Sequence, residues 1–346
     1  MKYSNIGGQA VMEGVMMKNG DRYAVAVRKP DKEIVVKCEN YNSIIKNKKI
    51  NSLPLIRGVF NFVDSLVLGM KTLMYSAEFF MEDEEEENPK KEEKKKKEKK
   101  EKEKDSDNAL LMGLTVAFSI VMAVGIFMIL PYFISLLFQQ VTDSQFLISL
   151  AEGIVRIAIF VGYILLISRM KDIQRVFMYH GAEHKCINCI EHGMELTVEN
   201  VRKSSRQHKR CGTSFLLIVV VISVIMFMFI RVESPILRVV VRILLVPVIA
   251  GISYEFIRLA GRSENKIVGL LSKPGLAMQK LTTKEPTDDM IEVGMASVEA
   301  VFDWRAFLTE NFGKTFPETE QKNAEQEAAA GQKNGTAASK PMGEPT

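Results

Sequence analysis

All four histidines of the 346-residue chain fall between positions 180 and 208, and two of them stand in a pattern with chemical meaning. The stretch Tyr179-His180-Gly181-Ala182-Glu183-His184-Lys185 contains H-x-x-E-H. Residues four apart on a helix project from one face, so His180 and His184 can turn two imidazoles toward one metal ion. Glu183 is suited to act as base on a water held there, the order of residues used by the inverted zinc peptidases. Those enzymes draw a third, carboxylate ligand from a distant helix, and Glu255 in Tyr254-Glu255-Phe256-Ile257-Arg258 is the candidate for that part. The divalent ion expected is Zn2+. The plain reading makes His180 and His184 interfacial polar side chains bonded to headgroups or backbone.

A second constellation overlaps the first. Cys186-x-x-Cys189 is followed after 18 residues by His208-x-x-Cys211, a spacing that resembles structural zinc sites. His208 could serve either site. The plain alternative makes Cys186 and Cys189 small apolar residues on a helix face. Gly7-Gly8-Gln9 and Glu13-Gly14 match no phosphate loop and suit tight turns equally well.

Membrane segments must position these groups. Hydrophobic residues make up 47% of the chain and charged residues 25%, averages that conceal a sharp segregation. Residues 82–107 carry 13 acidic and 10 basic side chains, whereas 108–142 carry no charge, which excludes a purely soluble protein. Four spans are expected, at 109–138, 146–168, 213–230 and 239–257. The first, about 45 Å if helical, exceeds the roughly 30 Å hydrocarbon core and should tilt or bend near Pro131. Glu152 and Arg156, four apart in the second, should pair. The loop at 169–212 holds nine Lys and Arg and the loop between the first two spans none, which puts 169–212 and both termini in the cytosol. In that reducing compartment the cysteines read as free thiols or ligands. The net charge of +4 rises to +7 without the charged tract, suiting anionic lipid headgroups, and no nucleic-acid partner is expected. No apolar core follows Lys2 to suggest a cleavable signal.

The fold class expected is an α-helical polytopic membrane protein of four transmembrane helices with a small N-terminal β-meander and a cytosolic cap. Residues 1–52 form the meander, with strand signals and an Asn19-Gly20 turn, and are too small to stand alone. Residues 53–81 form an amphipathic membrane-associated helix. Its Arg57, Asp64, Lys71 and Glu78 recur every seven residues along one face, so it lies in the interface or packs on the bundle rather than spanning. Residues 82–107 are a disordered charged linker. Residues 108–261 are the bundle with its His/Cys loop at 169–212. Residues 262–316 are a C-terminal cytosolic segment, with an amphipathic helix near 288–304 that Thr287 or Asp288 could cap. Residues 317–346 are a disordered tail. The cap joins the meander, the His/Cys loop and the C-terminal segment.

Five stretches taken together (7–17, 179–185, 208–215, 254–258 and Pro274-Gly275-Leu276 through Glu292-Val293) resemble the YqhQ-like bacterial membrane proteins. The resemblance covers about residues 5–300, in order. It implies a bacterial cell-membrane protein of unknown function, predicted to be metal-dependent. It also implies that His180, Glu183, His184, His208, Cys211, Glu255 and Arg258 sit in family motifs, as do Gly7, Gly8, Gln9, Glu13 and Gly14. Cys186 and Cys189 fall outside that pattern, and no substrate follows from it.

The function expected is that of a metal-dependent hydrolase at the cytosolic mouth of the bundle. His180 and His184 bind the ion with His208 or Glu255, and Glu183 handles the proton. Arg258, Gln9 and Glu13 are supporting residues. A site at that depth, against membrane lipid, suits a lipid-linked, amphiphilic or membrane-protein substrate. The alternative is a non-catalytic assembly or transport-accessory factor with a structural metal. A channel or secondary transporter has least behind it, because no inverted repeat is visible.

Overall fold

Short apolar runs bounded by turn residues in the first forty residues give the chain its strands, and long apolar runs give it its long helices. The computed structural model describes residues 1–43, 53–81, 105–230, 232, 234–263 and 265–316. Most of the expected charged linker, at 82–104, and the expected tail, at 317–346, lie outside the described residues.

Strands β1 (Ile6–Val11), β2 (Gly14–Asn19), β3 (Arg22–Arg28) and β4 (Ile34–Asn40) form one antiparallel sheet in sequential order. Asn19 pairs with Arg22, so the tight turn is Gly20-Asp21, with Gly20 at a φ of +58°. Both faces of the sheet are apolar. Val15, Met17, Ala24 and Ala26 join one buried cluster, and Val11, Met16, Tyr23, Val25 and Val27 join another.

Helix α1 (Ile56–Met81) covers the second face through Leu68. Its polar stripe turns inward in its first half, at Arg57 and Asp64, while Lys71 and Glu78 stay exposed. Arg57 grips Glu255 at 2.6 and 2.5 Å, Asn61 Nδ2 donates to the Tyr254 hydroxyl at 2.9 Å, and Ser76 Oγ accepts from the Met12 amide at 3.1 Å. Val63, Val67, Met70 and Met74 are exposed on the other side. The helix is therefore amphipathic with its apolar face outward, packed against the bundle rather than counted among the spans.

Four helices are long and apolar enough to cross a membrane: Gly113–Gln140, Gln145–Ile167, Gly212–Phe229 and Ile236–Arg262. The first combines α2 (Asp105–Val124), a π-helical turn at Gly125–Ile129, α3 (Leu130–Leu136) and a 3-10 turn at Leu137–Gln140. Pro131 explains the irregularity: it has no N–H to give the Phe127 carbonyl, and Arg156 Nε donates there instead, at 3.1 Å. Arg156 belongs to α4 (Gln145–Ile167), where it pairs with Glu152 at 2.6 Å. Glu152 also binds Arg242, at 2.7 Å, on the last span. Buried charges cost several kcal/mol each when unpaired, and here they tie three apolar helices together.

Two helices, α5 (Lys171–Glu191) and α6 (Val198–Lys203), fill the loop before the third span, α7 (Gly212–Phe229). After the fourth span, α8 (Pro235–Arg262), come α9 (Lys266–Thr282), α10 (Asp288–Glu299) and α11 (Trp304–Phe312). The single helix expected near 288–304 is thus divided. Asp303 starts α11 by accepting from the Ala306 amide at 2.9 Å, whereas Thr287 precedes α10 without a side-chain cap bond. Residues of β1–β3, α5, α6, α10 and α11 share one core around Tyr179, Ile187, Ile291 and Leu308.

Since each sheet face is covered by helices from elsewhere in the chain, residues 1–52 expressed alone should lack a cooperative thermal transition in circular dichroism. A sharp, reversible transition would contradict this packing.

Candidate functional site

Helix α5 is rich in polar residues yet is buried almost all round. From Tyr179 to Glu191 every residue except the half-buried His180 is buried. Burying His184, Lys185 and Asn188 requires a partner for each. The returning loop supplies them as backbone carbonyls. Lys185 Nζ donates to Arg202 O at 2.7 Å, and Asn188 Nδ2 donates to Ser205 O at 2.7 Å and Gln207 O at 3.0 Å. The His184 Nδ1 lies 2.5 Å from Arg206 O, and the His180 Nδ1 lies 2.9 Å from Thr282 O. A carbonyl can only accept, so both rings carry a proton on Nδ1.

That leaves each Nε2 pointing inward. The His180 Nε2 stands 3.3 Å from Cys211 Sγ, and one ligand atom each from His180, His184 and Cys211 lie within 4.8 Å of one another. Ligands on one tetrahedral zinc stand roughly 3–4 Å apart, as bonds of about 2.0–2.3 Å require, so only small side-chain adjustments separate this group from such a site. Two close approaches depend on glycine. A Cβ on Gly181 would sit 2.1 Å from Lys284 O, next to the segment that carries Thr282. A Cβ on Gly8 would sit 2.9 Å from Glu183 Cγ and 2.7 Å from Met16 O. Glu183 is buried beside the group, its carboxylate 3.8 Å from the His180 Nε2.

The electrostatics follow from this crowding. Burial alone would raise the Cys211 thiol, but the adjoining His180 and His184 outweigh it and hold the thiol well below its ordinary value. Burial likewise works against a charged His180, yet Cys211 and Glu183 push it up to about 9. A cavity of about 740 Å³ opens onto these groups, with Phe62, Leu66, Phe215, Leu216 and Ile257 among its walls.

Several expected residues stand elsewhere. Glu255 is not with the histidines, because both its oxygens are engaged by Arg57 of α1; Arg258 is half-buried, one turn further along the last span. His208 lines the same cavity, 5.7 Å from His184 between ring centroids, but its Nε2 faces Glu191 at 3.5 Å and Arg210 at 3.2 Å. Cys211 occupies the place expected of His208. The Cys186, Cys189, His208 and Cys211 zinc set is not formed. Cys186 packs toward Gly294 in the core, and Cys189 Sγ donates to Glu195 O at 3.2 Å. Gln9 packs against Gly69 at the cavity edge, and Glu13 accepts from Arg175 and from Tyr179 Oη.

Glu191, Arg210 and Gln279 had no part in the sequence reading. Glu191 is fully buried and accepts from Ser4 and Arg210. Burial would raise its pKa, but His208, Arg210 and the Ser4 amide bring it down to about 2. Gln279 brackets His208, accepting from its amide at 2.9 Å and donating to its carbonyl at 2.7 Å. Spacing held a clue to Glu191: it follows His184 by seven residues, on the same face of α5.

The depressed thiol can be tested directly. In chelator-treated protein at pH 7, iodoacetamide should alkylate Cys211 ahead of Cys186 and Cys189, whose thiols burial raises. His180→Ala should return Cys211 reactivity toward that of an ordinary thiol, losing it as pH falls below about 8.5. Equal labelling of the three in peptide mass spectra would contradict the charge arrangement.

The family described as "Protein of unknown function (DUF1385)" matches residues 53–304. "Uncharacterized protein YqhQ" of Bacillus subtilis (strain 168) is 33% identical over 313 residues, 88% of this chain and 94% of that protein. No solved structure matches the chain significantly. With three quarters of its length inside the family match and a relative aligned nearly end to end, the chain belongs to the DUF1385 family, together with YqhQ.

Proposed function

We propose that the protein is a metal-dependent hydrolase of the bacterial cell membrane, with its site on the cytosolic side and an amphiphilic substrate. The observation that carries this reading is the pair of Nδ1–H bonds to Thr282 O and Arg206 O. Metal-binding histidines are habitually oriented in this way, one nitrogen tied to a carbonyl and the other free to ligate. Two imidazoles and a low-pKa thiol suit Zn2+ and not the hard, oxygen-preferring Mg2+ or Ca2+. His180, His184 and Cys211 would hold the ion, and three protein ligands leave a position open.

Bound there, Zn2+ would supply Lewis-acid polarisation of a carbonyl or phosphoryl oxygen and make water more acidic. Glu183 accepts the proton of the attacking water on its carboxylate and returns it to the leaving group. The apolar cavity walls hold the hydrocarbon part of the substrate and exclude bulk water. The outward apolar face of α1 puts lipid next to that cavity. The cap of sheet, α5, α6, α10 and α11 then stands on the cytosolic side, as the nine-to-none Lys and Arg contrast requires.

A second reading uses Cys211 without metal. Its Sγ lies 3.3 Å from the His180 Nε2, and Thr282 O orients the ring, the arrangement of a thiol nucleophile with its base.

Metal analysis of detergent-purified protein separates these readings. The wild type should hold about one equivalent of zinc. His184→Ala and Cys211→Ala should lose it, while Glu255→Ala and Glu183→Gln keep it. Loss of the cellular phenotype in metal-replete Glu183→Gln supports catalysis, and a normal phenotype there supports a structural metal. Absence of metal from the wild type, with activity abolished in Cys211→Ser, would favour the nucleophile. Orientation is tested separately. A cysteine placed at Asp143 should react with an impermeant maleimide in intact cells and one at Asn200 should not; the reverse pattern would overturn the topology.

A further inference from the structure

The helix after the last span has a face that no part of the described chain covers. α9 begins three residues after α8 ends, so it lies where the chain leaves the bundle. Lys266, Lys273 and Lys280 are exposed and fall seven apart, in one stripe. Beside the stripe, Ile267, Leu270 and Leu271 are 68%, 60% and 56% exposed. No Asp or Glu occurs from Lys266 to Thr282. The opposite face is buried, with Met278 packed among Phe160, Ile164 and Leu217 of the second and third spans.

We infer that α9 is an in-plane helix that binds the anionic phospholipid headgroups of the leaflet it adjoins. Three observations choose this occupant over a protein partner. The helix follows a span after three residues, its inner face meets the ends of two others next to the His/Cys loop, and its outer face pairs large aliphatics with a purely cationic stripe. Lipid-surface helices combine those features: aliphatics sit in the acyl boundary while lysines reach the headgroups. Each such lysine contributes on the order of 1 kcal/mol next to an anionic surface. The placement also touches the site, because Thr282 O orients His180 and Gln279 brackets His208 from this same helix. Seating α9 on the leaflet therefore fixes two of the cavity's polar groups at membrane depth. None of this depends on whether the cavity holds a metal or performs hydrolysis.

The test uses the full chain in nanodiscs of phosphatidylcholine with and without phosphatidylglycerol. Spin-labelled phosphatidylglycerol should be motionally restricted by the protein in preference to spin-labelled phosphatidylcholine. Combined Lys266→Gln, Lys273→Gln and Lys280→Gln should cut that preference about tenfold or more. A nitroxide at Leu270 should meet oxygen more readily than a water-soluble nickel chelate, and one at Lys273 the reverse. Equal restriction of both lipids, a preference unchanged in the triple variant, or free access of the chelate to position 270 would each overturn the inference. The last result would indicate a water-facing surface or a protein partner. Retained far-ultraviolet circular dichroism in the triple variant excludes unfolding as the cause of a lost preference; if that signal is lost, Leu271→Ser, which keeps the lysines and the nitroxide at position 270, must raise chelate access there for the inference to stand.

Discussion

A polar helix buried on nearly all sides is the constraint from which the rest of this molecule follows. Helix α5 carries His184, Lys185 and Asn188 into the interior, and an unpartnered buried polar group costs about 1–3 kcal/mol, more if charged. The carbonyls of Arg202, Ser205, Arg206 and Gln207 meet that need. The loop before the third span is therefore held by side chains of α5, and its end, at Cys211, is delivered to the histidines. The site is a product of satisfying hydrogen bonds.

Enclosure supplies the remaining order. The sheet presses on α5 through its first face and on α1 through its second. The missing side chain of Gly8 lets β1 reach Glu183. At the far end of α5, Glu191 gathers Ser4, Arg210 and His208. Its pKa is lowered to about 2 in the fold, so its stabilisation is complete above the ordinary carboxylate value near 4.5 and disappears as pH falls toward 2. The N-terminus and the loop thus remain joined throughout the neutral range. Deep in the bundle, Glu152 does comparable work for Arg156 and Arg242.

What the sequence made legible was whatever depends on local periodicity. Apolar runs revealed four candidate spans, turn residues between short apolar runs revealed the strands, and the i,i+4 spacing put His180 and His184 on one face. The four-residue separation of Glu152 and Arg156 revealed their pair. Tertiary partners were not legible. Glu255 and Arg57 are 198 residues apart, and nothing local says that α1 lies against the last span and takes that carboxylate out of reach of the histidines. The choice of Cys211 over His208 turns on which side chain of a short loop faces inward. That depends on Glu191 and Gln279, and neither had a motif to announce it. Cys186 and Cys189 have zinc-like spacing but sit three apart on a helix side that faces the hydrophobic core, which spacing alone does not distinguish from a ligand side.

The central claim is that His180, His184 and Cys211 form one zinc site. X-ray absorption at the zinc edge on the purified full chain tests it most directly. The expected spectrum has one sulfur at about 2.3 Å and two or three nitrogen or oxygen neighbours at about 2.0–2.1 Å, and Cys211→Ala should lose the bound zinc. A shell of several sulfurs, or a sulfur-free shell of nitrogen and oxygen in the wild type, would contradict it.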